Sequence, residues 1–190
     1  LSGSLAAGFG WFDSRRFVSL PTPDVTAASD QRTGYLSAHL RASHDVMSAP
    51  NSYLRPLLDL GIMRLRRSAF DETGAGAANL SVEKAHDTLV TVHPALELGG
   101  EARLAQGWLA RPYLRVGATR YLTDNTRELT ATLEGAPAGL APLVVETEGD
   151  RTFADVSVGL DLLDTDRLQL EFAYRGQFSD HTRFHGGHLK

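Results

Sequence analysis

The side chains that could do chemistry in this sequence are histidines near residue 185 and carboxylates spread along the chain. His181, His185 and His188 lie within eight residues, a spacing at which imidazoles can hold a metal ion. Residues an odd number apart on a strand point to opposite faces, so His185 and His188 would not share a metal. A solvated loop and strand end is the simpler interpretation, and we predict neither metal nor cofactor.

Asp155, Asp161 and Glu171 are candidates for general acid–base catalysis. They share one face of their strands with basic residues, however, and a water-filled channel lined by both signs of charge explains such a face more simply. The sequence contains no Gly-x-Ser-x-Gly, His-Glu-x-x-His or phosphate-loop motif. We therefore predict a protein that is not an enzyme, with a polar interior lined by Arg55, Asp59, Glu97, Arg111, Arg115, Asp155, Asp161, Glu171 and Arg175.

Composition excludes several classes of protein. The 190 residues carry 19 Lys and Arg against 23 Asp and Glu, so no basic surplus favours nucleic acid as a partner. The absence of cysteine excludes disulfides and metal–thiolate sites. Hydrophobic residues make up 42%, too many for a disordered chain. Apolar runs are far shorter than the ~18 residues of a membrane-spanning helix, whereas membrane β-strands need only ~9–11 residues with every second one apolar.

The elements that would position these side chains are strands, because apolar and polar residues alternate with a period of two. The clearest case is residues 168–178, where the apolar face is formed by Leu168, Leu170, Phe172, Tyr174 and Phe178. Similar segments occur near residues 5–11, 36–42, 54–62, 88–98, 108–118, 154–162 and 183–190. The sequence thus predicts an all-β fold, a transmembrane, antiparallel, up-and-down β-barrel with about eight strands.

Connection lengths alternate along the chain. Long links are predicted at Ser19–Gln31, Arg67–Lys84 and Thr123–Gly149, and short ones at Met47–Ser52, Gly99–Gly107 and Asp164–Asp166. Bacterial membrane barrels place long loops outside the cell and short turns in the periplasm. A final link, Ser179–Thr182, is short where a long one is due.

Aromatic and basic residues indicate where a membrane would lie. Trp11, Trp108 and Tyr174 occupy apolar faces, and aromatic rings with a polar edge favour the bilayer interface, although the core of a β-sandwich would also accommodate them. Arg64, Arg66 and Arg67 follow a predicted strand and could bind lipopolysaccharide phosphates, or simply form a solvated rim.

Two groups of residues resemble a known family. The stretches Tyr53–Gly61 and Phe70–Val82 are similar to the C-terminal translocator domain of type V autotransporters, as is the ending Phe172–Phe178 with His185-Gly186-Gly187 before a final strand. Members of that family form twelve-stranded outer-membrane barrels, with a helix in the lumen and a secreted passenger upstream. Against that pattern we expect residues 1–190 to be the C-terminal part, with the passenger, the lumen helix and the first strands upstream.

The resemblance implies a function, partners and a location. We expect an outer-membrane translocator in a Gram-negative bacterium that carries an N-terminal passenger to the cell surface. Its partners would be outer-membrane lipid and lipopolysaccharide, its own passenger and the barrel-assembly machinery. Two alternatives remain open: a self-contained eight-stranded anchor or adhesin barrel, and a soluble β-sandwich that binds a ligand.

Overall fold

The computed structural model describes residues 1–19, 24–104, 107–163 and 169–190. Eight long strands form one antiparallel sheet in which neighbours in sequence are neighbours in space, here called the barrel sheet. In order these are β1 (Ser2–Val18), β2 (Val25–Ser43), β4 (Ser52–Arg67), β7 (Ala85–Gly100), β9 (Leu109–Tyr121), β12 (Thr152–Leu163), β13 (Gln169–Phe178) and β14 (Arg183–Leu189). Two short strands extend it, β3 (Met47–Ala49) beside β4 and β8 (Ala102–Arg103) beside β9. The predicted all-β, up-and-down fold is confirmed.

The barrel sheet curls into a half-barrel. His93 lies on β7 and Asp155 on β12, with β9 between them, yet His93 Nε2 and Asp155 Oδ2 are 3.6 Å apart. Two strand spacings in a flat sheet measure about 10 Å, so only a tightly curved, concave face brings these side chains together. This single continuous sheet differs from the two facing sheets of a β-sandwich, which rules out that alternative.

The half-barrel does not close on itself. Within the described ranges, β1 pairs only with β2 and β14 pairs only with β13. A closed eight-stranded barrel would pair its first strand with its last. None of the described residues forms a helix long and apolar enough to cross a membrane.

Three links predicted as long loops have a different structure. Ser19–Gln31 was predicted wrongly, because β1 and β2 continue as a paired ladder up to Val18 and Val25. The links at Arg67–Lys84 and Thr123–Gly149 contain β5 (Phe70–Asp71), β6 (Leu80–Val82), β10 (Thr126–Leu133) and β11 (Leu143–Glu148). These strands form a second sheet in the order β11-β10-β6-β5, here called the loop sheet. A short 3-10 helix at Gly76–Ala78 connects β5 to β6.

The short links are partly described. Ser179–Thr182 is a tight turn, in which the Ser179 N–H donates to the Thr182 carbonyl at 2.9 Å. The predicted turn Asp164–Asp166 lies outside the described residues, as do residues 105–106 within the predicted turn Gly99–Gly107.

Burial is distributed unlike that of a water-soluble domain. Most of the buried apolar side chains belong to the loop sheet and the strand beneath it, namely Ala27, Ala75, Val82 and Ala131. The convex face of the barrel sheet instead leaves large apolar side chains 42–60% exposed, including Leu36, Leu40, Leu58, Leu60, Ile62, Leu96, Leu98, Leu114 and Val116. Apolar area left in water costs roughly 25 cal/mol per Å², so a face of this size requires an apolar environment.

Candidate functional site: the polar concave face

The residues predicted to line a polar interior share one face of the barrel sheet. Strand register places Arg55 opposite Glu97, and Glu97 opposite Arg115. Asp161 lies opposite Arg111 on one side and Glu171 on the other. Because side chains alternate along each strand, these charged residues share the concave face, while most of the alternate positions on the same strands are apolar.

Glu97 is the centre of the first cluster on the concave face. Its side chain is 4% exposed and accepts hydrogen bonds from the Tyr53 hydroxyl at 2.9 Å and Arg55 Nη1 at 3.2 Å. Arg115 also donates to it, through Nε at 2.8 Å and through Nη2. Arg55 continues outward to Asp45 at 2.5 Å, which lies in the turn between β2 and β4. Two guanidinium groups, those of Arg55 and Arg115, therefore compensate the charge of this enclosed carboxylate.

A second cluster crosses four strands from Asp59 to Asp155. Arg41 donates to both carboxylate oxygens of Asp59, at 2.6 and 2.7 Å. His93 Nδ1 lies 3.1 Å from Asp59 Oδ2, while its buried Nε2 has no hydrogen-bond partner among the described residues and faces Asp155 at 3.6 Å. Asp155 accepts further hydrogen bonds from Thr119 and from Gln177, at 2.7 and 2.6 Å.

The other predicted residues are less tightly held. Arg111 pairs with Glu101 at 2.9 Å near the short-turn end, where both side chains are about half exposed. The side chains of Asp161, Glu171 and Arg175 make no hydrogen bond or ion pair to other described residues. Arg175 lines, together with Arg115 and the second cluster, a cavity of about 430 Å³ on the concave face. The arrangement offers fixed charges around a space large enough for several water molecules.

Two tyrosines that support these clusters lie flat across glycines of neighbouring strands. A side chain at Gly99 would place its Cβ 2.3 Å from the Tyr53 ring, and one at Gly159 would lie 2.2 Å from Tyr113. The absence of a Cβ lets each ring lie against the backbone. Arg55 in turn stacks over Tyr53, with its Cζ 4.4 Å from the ring centre, a cation–π contact that fixes the guanidinium beside Glu97.

Comparison with known proteins identifies the family. The autotransporter beta-domain family model matches residues 1–175. The chain belongs to the autotransporter beta-domain family. It is similar in structure to the beta domain of the Bordetella autotransporter BrkA, with 14% sequence identity and a TM-score of 0.45, over 99% of this chain and 76% of that chain. No curated protein matches the sequence.

Membership in this family gives the chain its general role. Autotransporter beta domains are outer-membrane translocators that work with an attached passenger, and the predicted family and function are therefore confirmed. The family implies a Gram-negative outer membrane as the location.

The segment Phe70–Val82, which carried the resemblance in sequence, builds the centre of the loop sheet in this beta domain. Glu72 accepts two hydrogen bonds from Arg16 of β1 and one from the Leu80 N–H. These hydrogen bonds, led by that from Arg16, lower the pKa of Glu72. Asn79 is buried, accepts from the Ala75 N–H and donates to Glu134 of the next link. Both long links are thereby tied to each other and to the β1–β2 hairpin.

The histidines singled out in the sequence lie apart. His181 contacts Asp150 in an exposed turn, while His185 lies on the convex face, where its Nδ1 is 2.7 Å from the Tyr174 hydroxyl. His188 is paired with Ala173 and faces the concave side. In the described part of the chain, no three His, Cys, Asp or Glu side chains are grouped to hold a metal.

Two of the aromatic residues predicted for the membrane interface, Trp11 and Tyr174, lie on the convex face, and the third, Trp108, lies at an end of the barrel sheet. Trp11 is 66% exposed and packs edge-to-face on Phe9, with ring centres 4.9 Å apart. Trp108 is partly buried just before β9, at the other end of the barrel sheet. Tyr174 lies on β13 opposite Val158 and is 40% exposed. Their depth in a bilayer stays a prediction.

Several members of the polar clusters were not among the predicted residues, and these include Arg41, Tyr53 and His93. Each lies on the same face of the sheet as a predicted residue: Arg41 is directly opposite Asp59, and His93 is an even number of residues, four, before Glu97 on the same strand. Including every polar residue at the alternate strand positions of that face would have found them. Their pairing would not have followed, because it depends on the curvature that brings β7 close to β12.

Proposed function

We propose that this beta domain forms the wall of a water-filled pore in the outer membrane of a Gram-negative bacterium, through which the upstream passenger reaches the cell surface. One observation carries the proposal: the convex face of the half-barrel is apolar and exposed, whereas its concave face is polar and ion-paired. Soluble antiparallel sheets that curl around a core have the opposite arrangement. Lipid outside and water inside account for this inversion.

The proposal extends to the other partners. Residues 1–190 would contribute part of one barrel, and further strands of the same protein, upstream, would pair with the free edges and enclose a helix on the polar face. The unpaired backbone groups of β1 and β14 support this, because an exposed edge strand is a template for another strand. The surrounding partners would be lipid and lipopolysaccharide, with the barrel-assembly machinery inserting the domain.

We propose a transport role without bond chemistry. The carboxylates with enough burial to have unusual reactivity, Glu97 and Asp59, are each held by arginine in bidentate or multiple contacts. The oxygens of a carboxylate so paired are occupied by N–H donors, which leaves them poorly placed to act as a general base or a nucleophile. The clusters then serve to keep a polar wall rigid beside water.

Cysteine labelling tests the orientation of the wall directly, because the chain has no cysteine of its own. In the full-length protein, with an epitope tag in the upstream passenger, Ala138→Cys lies in the link between β10 and β11 and Arg103→Cys in β8; both positions are exposed. A membrane-impermeant maleimide should label Ala138→Cys on intact cells. It should label Arg103→Cys only after the outer membrane is permeabilised.

The epitope tag is the second readout of the same experiment. Antibody should detect it on intact cells that carry either variant. Labelling of Arg103→Cys on unbroken cells would show that the orientation is inverted, and a tag detectable only after lysis would count against translocation.

A further inference from the structure

Five basic side chains gather on the convex face at the end of its apolar band. They come from three adjacent strands and the residue before β7, and all are exposed: Arg32, Arg64, Arg66, Lys84 and His86. Arg66 lies opposite Gly34 of β2 and opposite His86 of β7, so these strands carry their basic residues side by side. A shallow depression of about 550 Å³ is lined by these five residues together with Phe9, and Arg67 also borders it. We call this group the basic rim.

The basic rim begins where the outward apolar residues stop. On β4 the outward series runs Leu58, Leu60, Ile62 and then changes directly to Arg64 and Arg66. On β2 it runs from Leu40 to Leu36 and reaches Arg32 past Gly34. A change from apolar to basic at the same end of neighbouring strands marks the boundary between hydrocarbon and headgroups.

The arginines of the basic rim lack the partners that the arginines of the concave face have. Arg41 and Arg115 are paired with carboxylates at hydrogen-bond distance. No ion pair joins Arg32, Arg64 or Arg66 to another described residue. The outward carboxylates of β1 and β2, Asp13 and Asp30, lie opposite each other, beyond Arg32 on its far side from the apolar band. Like charges placed side by side repel one another unless an anion lies between them.

Sequence alone grouped Arg67 with Arg64 and Arg66; Arg67 borders the same depression, but strand alternation directs its side chain to the other face of β4. Arg67 has the parity of Asp59 and lies on the concave side, where its Nε and Nη2 are enclosed without a hydrogen-bond partner in the described residues. Arg32, from a different strand, takes its place in the group. The three convex arginines therefore converge through sheet register rather than through sequence proximity.

We propose that the basic rim binds the phosphate groups of a phosphorylated glycolipid in the outer leaflet. This deepens the proposed function and rests on its placement of the convex face in an outer membrane. Guanidinium groups bind phosphate oxygens through two parallel hydrogen bonds, and each basic residue near an anionic membrane surface adds to the attraction. The exposed rings of Phe9 and Trp11 on β1, opposite Gly34 and Arg32, would supply apolar contacts to such a glycolipid beside the arginines.

The test uses the full-length protein purified in mild detergent and placed in phosphatidylcholine nanodiscs containing diphosphorylated lipid A, with bound lipid counted by native mass spectrometry. The variant pair is Arg64→Gln with Arg66→Gln, and the control is Arg120→Gln, an exposed arginine of the convex face on β9 that lies outside the basic rim. We expect about a fivefold loss of lipid A affinity for each rim arginine removed. The control should bind as the wild type does.

Two further arms separate the sources of phosphate. Lipid A stripped of its phosphates should bind at least tenfold more weakly than the diphosphorylated form. Inorganic phosphate at matched ionic strength should compete only weakly, because it lacks the acyl chains. Equal binding by the rim variant and the wild type, equal binding of dephosphorylated lipid A, or full displacement by inorganic phosphate would each overturn the proposal.

Passenger display on intact cells is measured for the same variants. It should be unchanged in the rim variant, because the basic rim is on the face opposite the pore. If the wild-type protein does not display the passenger, the proposed function fails. Lipid binding in nanodiscs does not depend on passenger display and is judged separately.

Discussion

At the scale of single residues, burial distinguishes the ion pairs that stabilise the concave face from the exposed pairs that contribute little to stability. The Glu97 side chain is 4% exposed and Arg115 is 23% exposed, whereas the Arg111–Glu101 pair is 51% and 46% exposed. Exposed pairs contribute about 0–1 kcal/mol to stability. Removing one partner of a buried pair costs more, because the other charge is left uncompensated.

Glu97→Gln should therefore destabilise the barrel by about 3 kcal/mol, since it leaves Arg55 and Arg115 facing each other without a carboxylate. Glu101→Gln is the matched control and should cost less than about 1 kcal/mol. Urea unfolding midpoints in lipid vesicles, followed by tryptophan fluorescence, measure both. Equal shifts in the two variants would mean that the Glu97 cluster carries no special weight.

The contact between Asp150 and His181 predicts a pH dependence outside the membrane. Hydrogen bonds from Ser179 and His181 lower the pKa of Asp150 to about 2, and the hydrogen bond to Asp150 raises the pKa of His181 above its ordinary value of 6.5. The contribution of Asp150 is present above about 3.8 and lost as the pH falls towards 2. That of His181 is complete below 6.5 and lost as the pH rises through its higher folded-state pKa.

An NMR titration of the His181 imidazole checks this. Asp150→Asn should bring its midpoint down towards 6.5. Asp124→Asn, in the same link but bonded to Arg151, should leave the midpoint unchanged. A wild-type midpoint already at the ordinary value would contradict the contact.

At the scale of elements, strands that carry a long alternating pattern were predictable and the loop sheet was not. Leu168–Phe178 was predicted from its period of two, and β13 is found at Gln169–Phe178. Strands β5 and β6 are two and three residues long, too short for any pattern to be read. They form because Glu72 and Asn79 satisfy backbone groups and bind residues distant in sequence. Contacts of this kind produce no periodic pattern of apolar and polar residues in the sequence.

The candidate site divides in the same way. The face on which Glu97, Arg115 and Asp155 lie follows from parity alone, because side chains alternate along a strand. Which acid meets which base depends on register, and register is set by the turn geometry and by pairs such as Tyr53 on Gly99. Contacts across an intervening strand depend on curvature, which no single strand encodes.

Asn79→Ala should loosen the loop sheet without unfolding the barrel sheet. Asn79 is buried, and its loss leaves the Ala75 N–H without its acceptor and Glu134 without its donor, a local cost of about 1–3 kcal/mol. Protease added to intact cells should then cleave faster within residues 134–142. Ser81→Ala, which removes only an exposed hydroxyl bonded to Asp71, is the control. Identical cleavage rates would show that Asn79 does not hold the links together.

At the scale of the whole molecule, the half-barrel has an apolar convex face and a polar concave face, the reverse of a curved sheet in a water-soluble protein. Its stability must therefore depend on the surroundings of the convex face. The buried apolar core of the chain lies chiefly in and beneath the loop sheet. The barrel sheet is held by backbone ladders, by the charged clusters of the concave face and, on our proposal, by lipid.

Leu60→Arg and Met63→Arg provide a paired test of this dependence. The two residues lie on β4, three positions apart, and are nearly equally exposed, at 44% and 39%. Leu60 lies in the middle of the outward apolar series, whereas Met63 has the parity of Asp59 and faces the concave side. An arginine facing the middle of a bilayer costs about 2–4 kcal/mol, whereas one facing water inside the barrel costs little.

We expect Leu60→Arg to lower the urea midpoint in lipid vesicles and to reduce the heat-resistant folded band on gels, and Met63→Arg to leave both near wild type. Because exposure to water is matched, only the medium that each face meets can separate the variants. Equal losses would mean that the convex face does not meet lipid.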